Sequence, residues 1–354
     1  MAHVAKITID HTKVPGDLTD YVGLIVPDGS AGYSALYALC LEGGGDIRLF
    51  KSDDTTELAR EIVTFSVTDE TGEIHYKYSG TLSSSVDTDI HVYADGSSAD
   101  YAVGATYGRN NVWADYNGVL HNGGTTDSTG NSASYSANGG VTVGGLSSPT
   151  GKATNFDGSN DSVTNASSTG YGGHTAYSFQ AWLYPNDITS RQGILLNSNA
   201  IDAAGETWAL ENNSSGGRMR FTNSDNFNNI FNLIETPGNG TLTANEWQQV
   251  ICVRDGGNGN IYRNGTSSIS TTSGLTTATS VGNGNFAIGK FGLGNFLYYD
   301  GGIGEFRYRD SALSANWITT EYNNQNSYST FYSVAAVAGG SAAQAARRGA
   351  VMMM

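Results

Sequence analysis

Short alternating runs recur through most of this chain. "AKITID", "YVGLIVP", "DIRLF", "EIVTFSV", "EIHYKY" and "DIHVYA" occupy its first third, and "KATNFDG", "DSVTNA", "YSFQAWLYP", "GILLN", "TWALEN", "RMRFTN", "NEWQQVICVRD", "GNIYRNG", "FAIGKFG" and "IGEFRYR" follow. Gly, Asp, Ser or Thr clusters close most of them. A period of two bounded by turn residues is the pattern of a half-buried strand, and little of the chain is left for long helices. Charged residues make up only 14% and 47 Gly stand against 5 Pro, so tight turns between uncharged strands are in good supply. The expected fold class is all-β. With 354 residues the chain can bury two cores, and two β-sandwich domains are expected.

Between the two sets of runs, "YGRNNVWADYNGVLHNGGTTDSTGNSASYSANGG" loosens into Gly, Ser, Thr and Asn. The expected domains are 1–106 and 107–333, with a low-complexity tail over 334–354 that contains "AAVAGGSAAQAARRGAVMMM". One short helix interrupts the second block in "DSALSANWITTEY", where Ser311 or Ser314 caps the start and Leu313, Trp317 and Tyr322 share a face. Cys40 in "YALCLEG" and Cys252 in "WQQVICVRD" read as inert thiols in buried strands, and two cysteines make no disulfide framework.

A net charge of −15 argues against a nucleic-acid partner, which needs clustered Lys and Arg. No stretch is long enough to insert in a membrane. "MAHVAKITIDHTKV" enters a strand at once, without the basic and apolar regions of an export leader. Catalytic motifs fail on inspection. "DSTG" at Asp127 to Gly130 reads as an Asp/Ser turn, "GGNGN" at Gly256 to Asn260 as a hairpin turn, and "DGSAG" has Asp28 where a nucleophile elbow needs Gly. The six histidines lack zinc-site spacing, with His75 and His91 in alternating strands. No strand shows the paired acids of a glycosidase, so no enzyme and no catalytic residue is expected.

"DGGIGEFRYRDSALSANWI", residues 300 to 318, is the most specific piece of the chain. Together with "NFDGSNDSV", "YSFQAWLYPND", "EWQQVICVRDGGNGNIYRNG" and "FAIGKFG" it resembles, in order and spacing, LamG-like concanavalin A-type jelly-roll domains over roughly 107–333. That family typically shows an Asp-Glu pair, a strand and an Ala-Leu-Ser helix start. Glu305, Phe306, Arg307, Ala312, Leu313 and Ser314 match, whereas Gly304 stands where the Asp is usual. The first block, through "ITIDHTKVPGDLTDY", "GDIRLF", "ELAREI", "DIHVYADG" and "VWADYNGVLHNGGTTDSTGN", resembles an uncharacterised domain that precedes LamG-like modules in bacterial and phage surface proteins.

Read physically, the quoted stretch is a fold signature: Arg307 or Arg309 holds Glu305, and the Ala-Leu-Ser turn covers one end of the sandwich. The alternative is a calcium site of Asp300, Glu305 and loop carbonyls, which would make calcium the cofactor. For glycans, Asn295, Tyr298, Tyr299 and Asp300 form one candidate site, an aromatic platform beside oxygen-rich groups, and Asn226 with Phe227 another edge. The resemblance and the lack of a leader point to a virion surface or appendage protein that attaches to a glycan or cell surface. Its partners would be copies of itself and other virion or surface proteins, with a secreted adhesin and a glycosidase as alternatives.

Overall fold

Alternation becomes sheet in every run of the first block. The computed structural model describes residues 1–168, 170–198, 207–212, 216–224, 232–237, 241–271, 284–291 and 297–337. The six early runs are β1 (Ala2–Ile9), β2 (Leu18–Ile25), β3 (Arg48–Lys51), β4 (Glu57–Ser66), β5 (Thr71–Leu82) and β6 (Thr88–Ala94). Ile7, Ile9, Ile90 and Val92 turn inward and are buried, while Thr8, Asp89 and His91 lie between them on the other face.

One segment departs from the strand expectation. Cys40 follows a helix, α1 (Ser34–Leu39), whose Ala35, Leu36, Tyr37 and Leu39 are buried, and the Cys40 N–H donates to the Leu36 carbonyl at 2.9 Å. Burial and the Asp46 charge push its thiol up to about 12. Cys252 is buried in a strand as expected, and burial raises its thiol well above the ordinary range. Both cysteines are free, and neither has the depressed pKa of a reactive thiol.

After α2 (Arg109–Val112) the second unit begins. Its strands are β7 (Gly118–Leu120), β8 (Ser136–Asn138), β9 (Thr142–Ser148), β10 (Gly151–Asp157), β11 (Ser162–Ser168), β12 (Ala176–Pro185), β13 (Gln192–Ser198), β14 (Thr207–Asn212), β15 (Met219–Ser224), β16 (Asn232–Glu235), β17 (Gln248–Asp255), β18 (Asn258–Arg263), β19 (Thr266–Thr271), β20 (Gly284–Ile288), β21 (Lys290–Phe291), β22 (Leu297–Tyr298) and β23 (Asp300–Arg309). One sheet runs β19-β18-β17-β12-β23-β10-β9, with β7 also on β23; a second runs β16-β15-β14-β13-β20-β11-β8; β21 and β22 form a small hairpin. A single apolar cluster draws Phe179, Leu183, Val250, Ile303 and Phe306 from the first sheet and Leu195, Leu210, Phe221 and Phe286 from the second. Two antiparallel sheets sharing one core make a β-sandwich. The first two residues of "GGNGN", Gly256 and Gly257, are the hairpin turn joining β17 to β18, with Asp255 opposite Asn258 and Gly256 at φ +58°.

The chain then returns to the first unit through α3 (Ala315–Asn326), α4 (Tyr328–Phe331) and β24 (Tyr332–Ala336). Ser314 caps α3, its Oγ accepting the Trp317 N–H at 3.2 Å, so the expected helix is present and runs four residues beyond Tyr322. β24 pairs antiparallel with β1, placing Tyr332 opposite Ile9 and Ala336 opposite Ala5. The first unit's sheet is thereby ordered β2-β5-β4-β3-β6-β1-β24. Beside β2, an edge strand of this sheet, the Asn324 side chain accepts from the Leu24 N–H at 2.7 Å and donates to the Leu24 carbonyl at 2.9 Å, satisfying both backbone groups of that residue.

The compact units are therefore Met1–Ala114 with the chain from Thr319, and Asp115–Ile318. The expected divisions lay at 106/107 and 333/334. The second shifts furthest, because the hydrogen bonding of residues 319–333 to the first unit leaves no mark in their own sequence. Residues 338–354 of the expected tail lie outside the described residues. Among the described residues no helix is long and apolar enough to cross a membrane.

Candidate functional site

The stretch that opens at Asp300 is the strand β23, and it carries a bulge. Gln180 of β12 faces Arg307 while Trp182 faces Gly304, so β23 spends one extra residue there, and Glu305 takes the left-handed region at φ +49°. The kink turns the Glu305 carboxylate into a buried trio. Arg307 Nε donates to Oε1 at 2.8 Å with Nη2 at 2.7 Å from the same oxygen, and His121 Nδ1 lies 2.9 Å from Oε2. Arg309 is occupied elsewhere, donating to Ser311 Oγ at 2.7 Å and lying over the Trp317 ring.

The following turn is stapled down. Ser178 Oγ donates to the Ser311 carbonyl at 2.9 Å and accepts the Leu313 N–H at 2.8 Å, while Leu313 and Ile318 bury against Ile251 and Val253. These contacts give Glu305, Arg307, Ser311 and Leu313 folding roles. Gly304 also has a reason: a Cβ there would lie 3.2 Å from Ala153 Cβ and 3.3 Å from the Lys152 carbonyl, too tight for the family's carboxylate without adjustment.

The calcium pairing of Asp300 with Glu305 is corrected. Five residues of extended strand separate their Cα atoms by about 16 Å, and Glu305 is spent on Arg307 and His121. The platform is corrected in part. Tyr299 is fully buried, edge-on to Phe156 at 6.4 Å between centroids, and burial holds its hydroxyl pKa well above the ordinary value. A side chain inside the core offers no face to a sugar. Tyr298 is half-buried in the β21–β22 hairpin, with Lys290 opposite, and Asp300 is partly exposed. Asn295, Asn226 and Phe227 lie outside the described residues.

A different aromatic pair stands near Asp300. Tyr184, near the end of β12, and Trp247, just before β17, are both half-buried with ring centroids 5.4 Å apart. Glycine makes room for them. Gly302 lies opposite Tyr184, and a Cβ on it would come within 2.9 Å of Trp247 Cη2. Two residues earlier on β23, Asp300 Oδ1 accepts from Asn186 Nδ2 at 2.8 Å, and the Asn186 N–H donates to the Asp300 carbonyl at 3.0 Å.

Asp157 of β10 is the register partner of Asp300. The Ser159 N–H, with that of Asn160, holds the Asp157 carboxyl below its ordinary range, whereas burial and then the Asp157 charge raise Asp161. The rim therefore offers two aromatic faces, an amide and several acids. Sequence reading missed Tyr184 and Trp247 because each sits alone beside a polar loop, in "WLYPND" and "NEWQQV"; the signal is an aromatic at the end of each of two strands that the sheet makes neighbours.

Residues 156–319 match the family model of the concanavalin A-like lectin/glucanases superfamily. No curated protein matches the chain. Among solved structures, domain 4 of a GH43 extracellular arabinanase from Geobacillus stearothermophilus, in complex with arabinotriose, is similar at 18% identity over 58% of this chain and 97% of that one, with a TM-score of 0.48. The botulinum neurotoxin serotype D ligand-binding domain in complex with N-acetylneuraminic acid is similar at 16% identity over 60% and 52%, TM-score 0.48. The receptor-binding domain of the C/D mosaic serotype gives 16% identity over the same shares, TM-score 0.47. This chain spans nearly all of the arabinanase domain and about half of each neurotoxin domain.

Proposed function

We propose that the concanavalin A-like domain at residues 156–319 binds a neutral sugar on the Tyr184–Trp247 pair, with Asn186 and Asp300 as its polar edge. The observation that carries this is the half-buried pair itself, two aromatic faces over a glycine beside hydrogen-bonding groups. Aromatic rings take the apolar face of a sugar, and the amide and carboxylate take its hydroxyls. A single sugar site of this kind binds weakly, so attachment to a cell needs many copies, as on a virion appendage or an adhesive surface. The reading is of binding without hydrolysis: Glu211 pairs with Arg191, Glu235 with Arg218 and Arg220, and Glu305 with Arg307.

The test is binding of bead-displayed protein to a panel of immobilised neutral polysaccharides. Trp247→Ala is expected to weaken capture about tenfold or more, the equivalent of about 1.4 kcal/mol, with thermal melting little changed. No capture by the unaltered protein at any valency would overturn the proposal. A second reading, hydrolysis, rests on Asp157 and Asp161, two carboxylates held together in the turn after β10, where the Asp157 N–H donates to Asp161 Oδ2 at 3.2 Å. Release of reducing ends that is lost in Asp161→Asn would favour it.

A further inference from the structure

His3, His91 and Asp54 come from three separate parts of the first unit: the start of β1, the middle of β6 and the turn after β3. Strand pairing brings them together. His3 is the register partner of Tyr93, two residues from His91 on the same face of β6, and a bulge at His3–Ala5 keeps Val4 and Ala5 buried behind the ring. The His3 ring stacks on Tyr93 at 4.9 Å and meets His91 at 4.4 Å between centroids.

Asp54 reaches this face through a left-handed residue at φ +57°, an unusual conformation that aspartate tolerates better than most side chains. Its Oδ1 accepts from Tyr93 Oη at 2.8 Å and lies 2.5 Å from His91 Nδ1. One ligand atom from each of the three residues lies within 4.8 Å of the others. His3 Nε2 faces the Ala5 carbonyl at 3.1 Å; since a carbonyl only accepts, that nitrogen carries the proton and Nδ1 keeps its lone pair. The Asp54 side chain is 50% exposed, which leaves a path for an ion and for a water in a further position.

We propose that His3, His91 and Asp54 bind a divalent transition-metal ion of the zinc class. Two imidazoles and a carboxylate are a donor set suited to Zn²⁺, Co²⁺ or Ni²⁺ and poorly suited to calcium, which takes oxygen ligands. The Ala5 carbonyl and the Tyr93 hydroxyl are the outer groups that orient such ligands. At His91 the Nδ1 that faces the Asp54 carboxylate gives up its proton when the ion binds, as imidazole does on binding a metal.

The experiment uses the whole chain, stripped of metal, titrated with Zn²⁺ by calorimetry and with Co²⁺ by visible absorption. The expected result is stoichiometric binding with cobalt d–d bands, weakened about tenfold or more in His91→Gln and in Asp54→Gly, the loss that disturbing a metal site typically produces. Asp54→Gly is the decisive variant, since glycine relaxes the positive φ and a folding defect cannot explain the loss. The absence of Zn²⁺ binding, or binding that survives both substitutions, overturns the proposal. So does binding lost only in His11→Ala, which would place the ion on the other group of this unit, Asp10, His11 and Asp87.

Discussion

Residues 1–114, produced without the segment 319–337, are expected to show no cooperative unfolding transition, and to regain one when that segment is joined through a flexible linker. The segment supplies five residues paired to β1, two buried aromatic side chains in Phe331 and Tyr332, and the Asn324 amide that satisfies both backbone groups of Leu24. Burying each aromatic contributes about 1.5–3 kcal/mol, and the two hydrogen bonds about 1 kcal/mol each. The total of roughly 5–8 kcal/mol is comparable to the whole stability of an ordinary domain. Urea titration followed by circular dichroism reads the outcome directly. A sharp transition for 1–114 alone, at the midpoint of the joined form, would show that the return segment only decorates a self-sufficient sheet.

The second large effect belongs to Glu305. Removing one member of a buried, hydrogen-bonded ion pair leaves its partner's charge to be solvated by protein, at a cost of about 3–5 kcal/mol. Glu305→Ala should therefore lower the melting temperature of the second unit by roughly 6–20 °C. The backbone adds a control. Because Glu305 sits at φ +49°, Glu305→Gly loses the same ion pair but relieves the left-handed strain, and should be more stable than the alanine variant by about 1 kcal/mol. Calorimetric scans of the two variants beside the unaltered chain decide the matter. Melting unchanged in both would mean that Arg307 and His121 do not depend on the carboxylate.

The fold was legible where it rests on local pattern. Six alternating runs became β1 to β6, the first two residues of "GGNGN" became a hairpin turn, and Ser314 capped the helix that its position before "ANWI" announced. Cys40 was misread as strand because its apolar neighbours form an unbroken run, and such a short run is compatible with either a buried strand or a buried helix turn. The candidate site was legible only in part. Asp300 lies at the rim, but Tyr299, adjacent to it in the chain, points into the core, since successive side chains on an extended segment take opposite sides.

What the sequence by itself determined is the all-β class, the place of most strands, and the strand-to-helix turn in "EFRYRDSALSANWI", all properties of period and turn chemistry within a few residues. Tertiary structure alone decided that β24 completes a sheet begun at the amino terminus, that Tyr184 meets Trp247, and that His3, Asp54 and His91 share one face. The physical reason is the same in each case. Strand pairing joins residues through backbone hydrogen bonds that carry no side-chain signature, so partners far apart in the chain leave no mark on each other's local sequence.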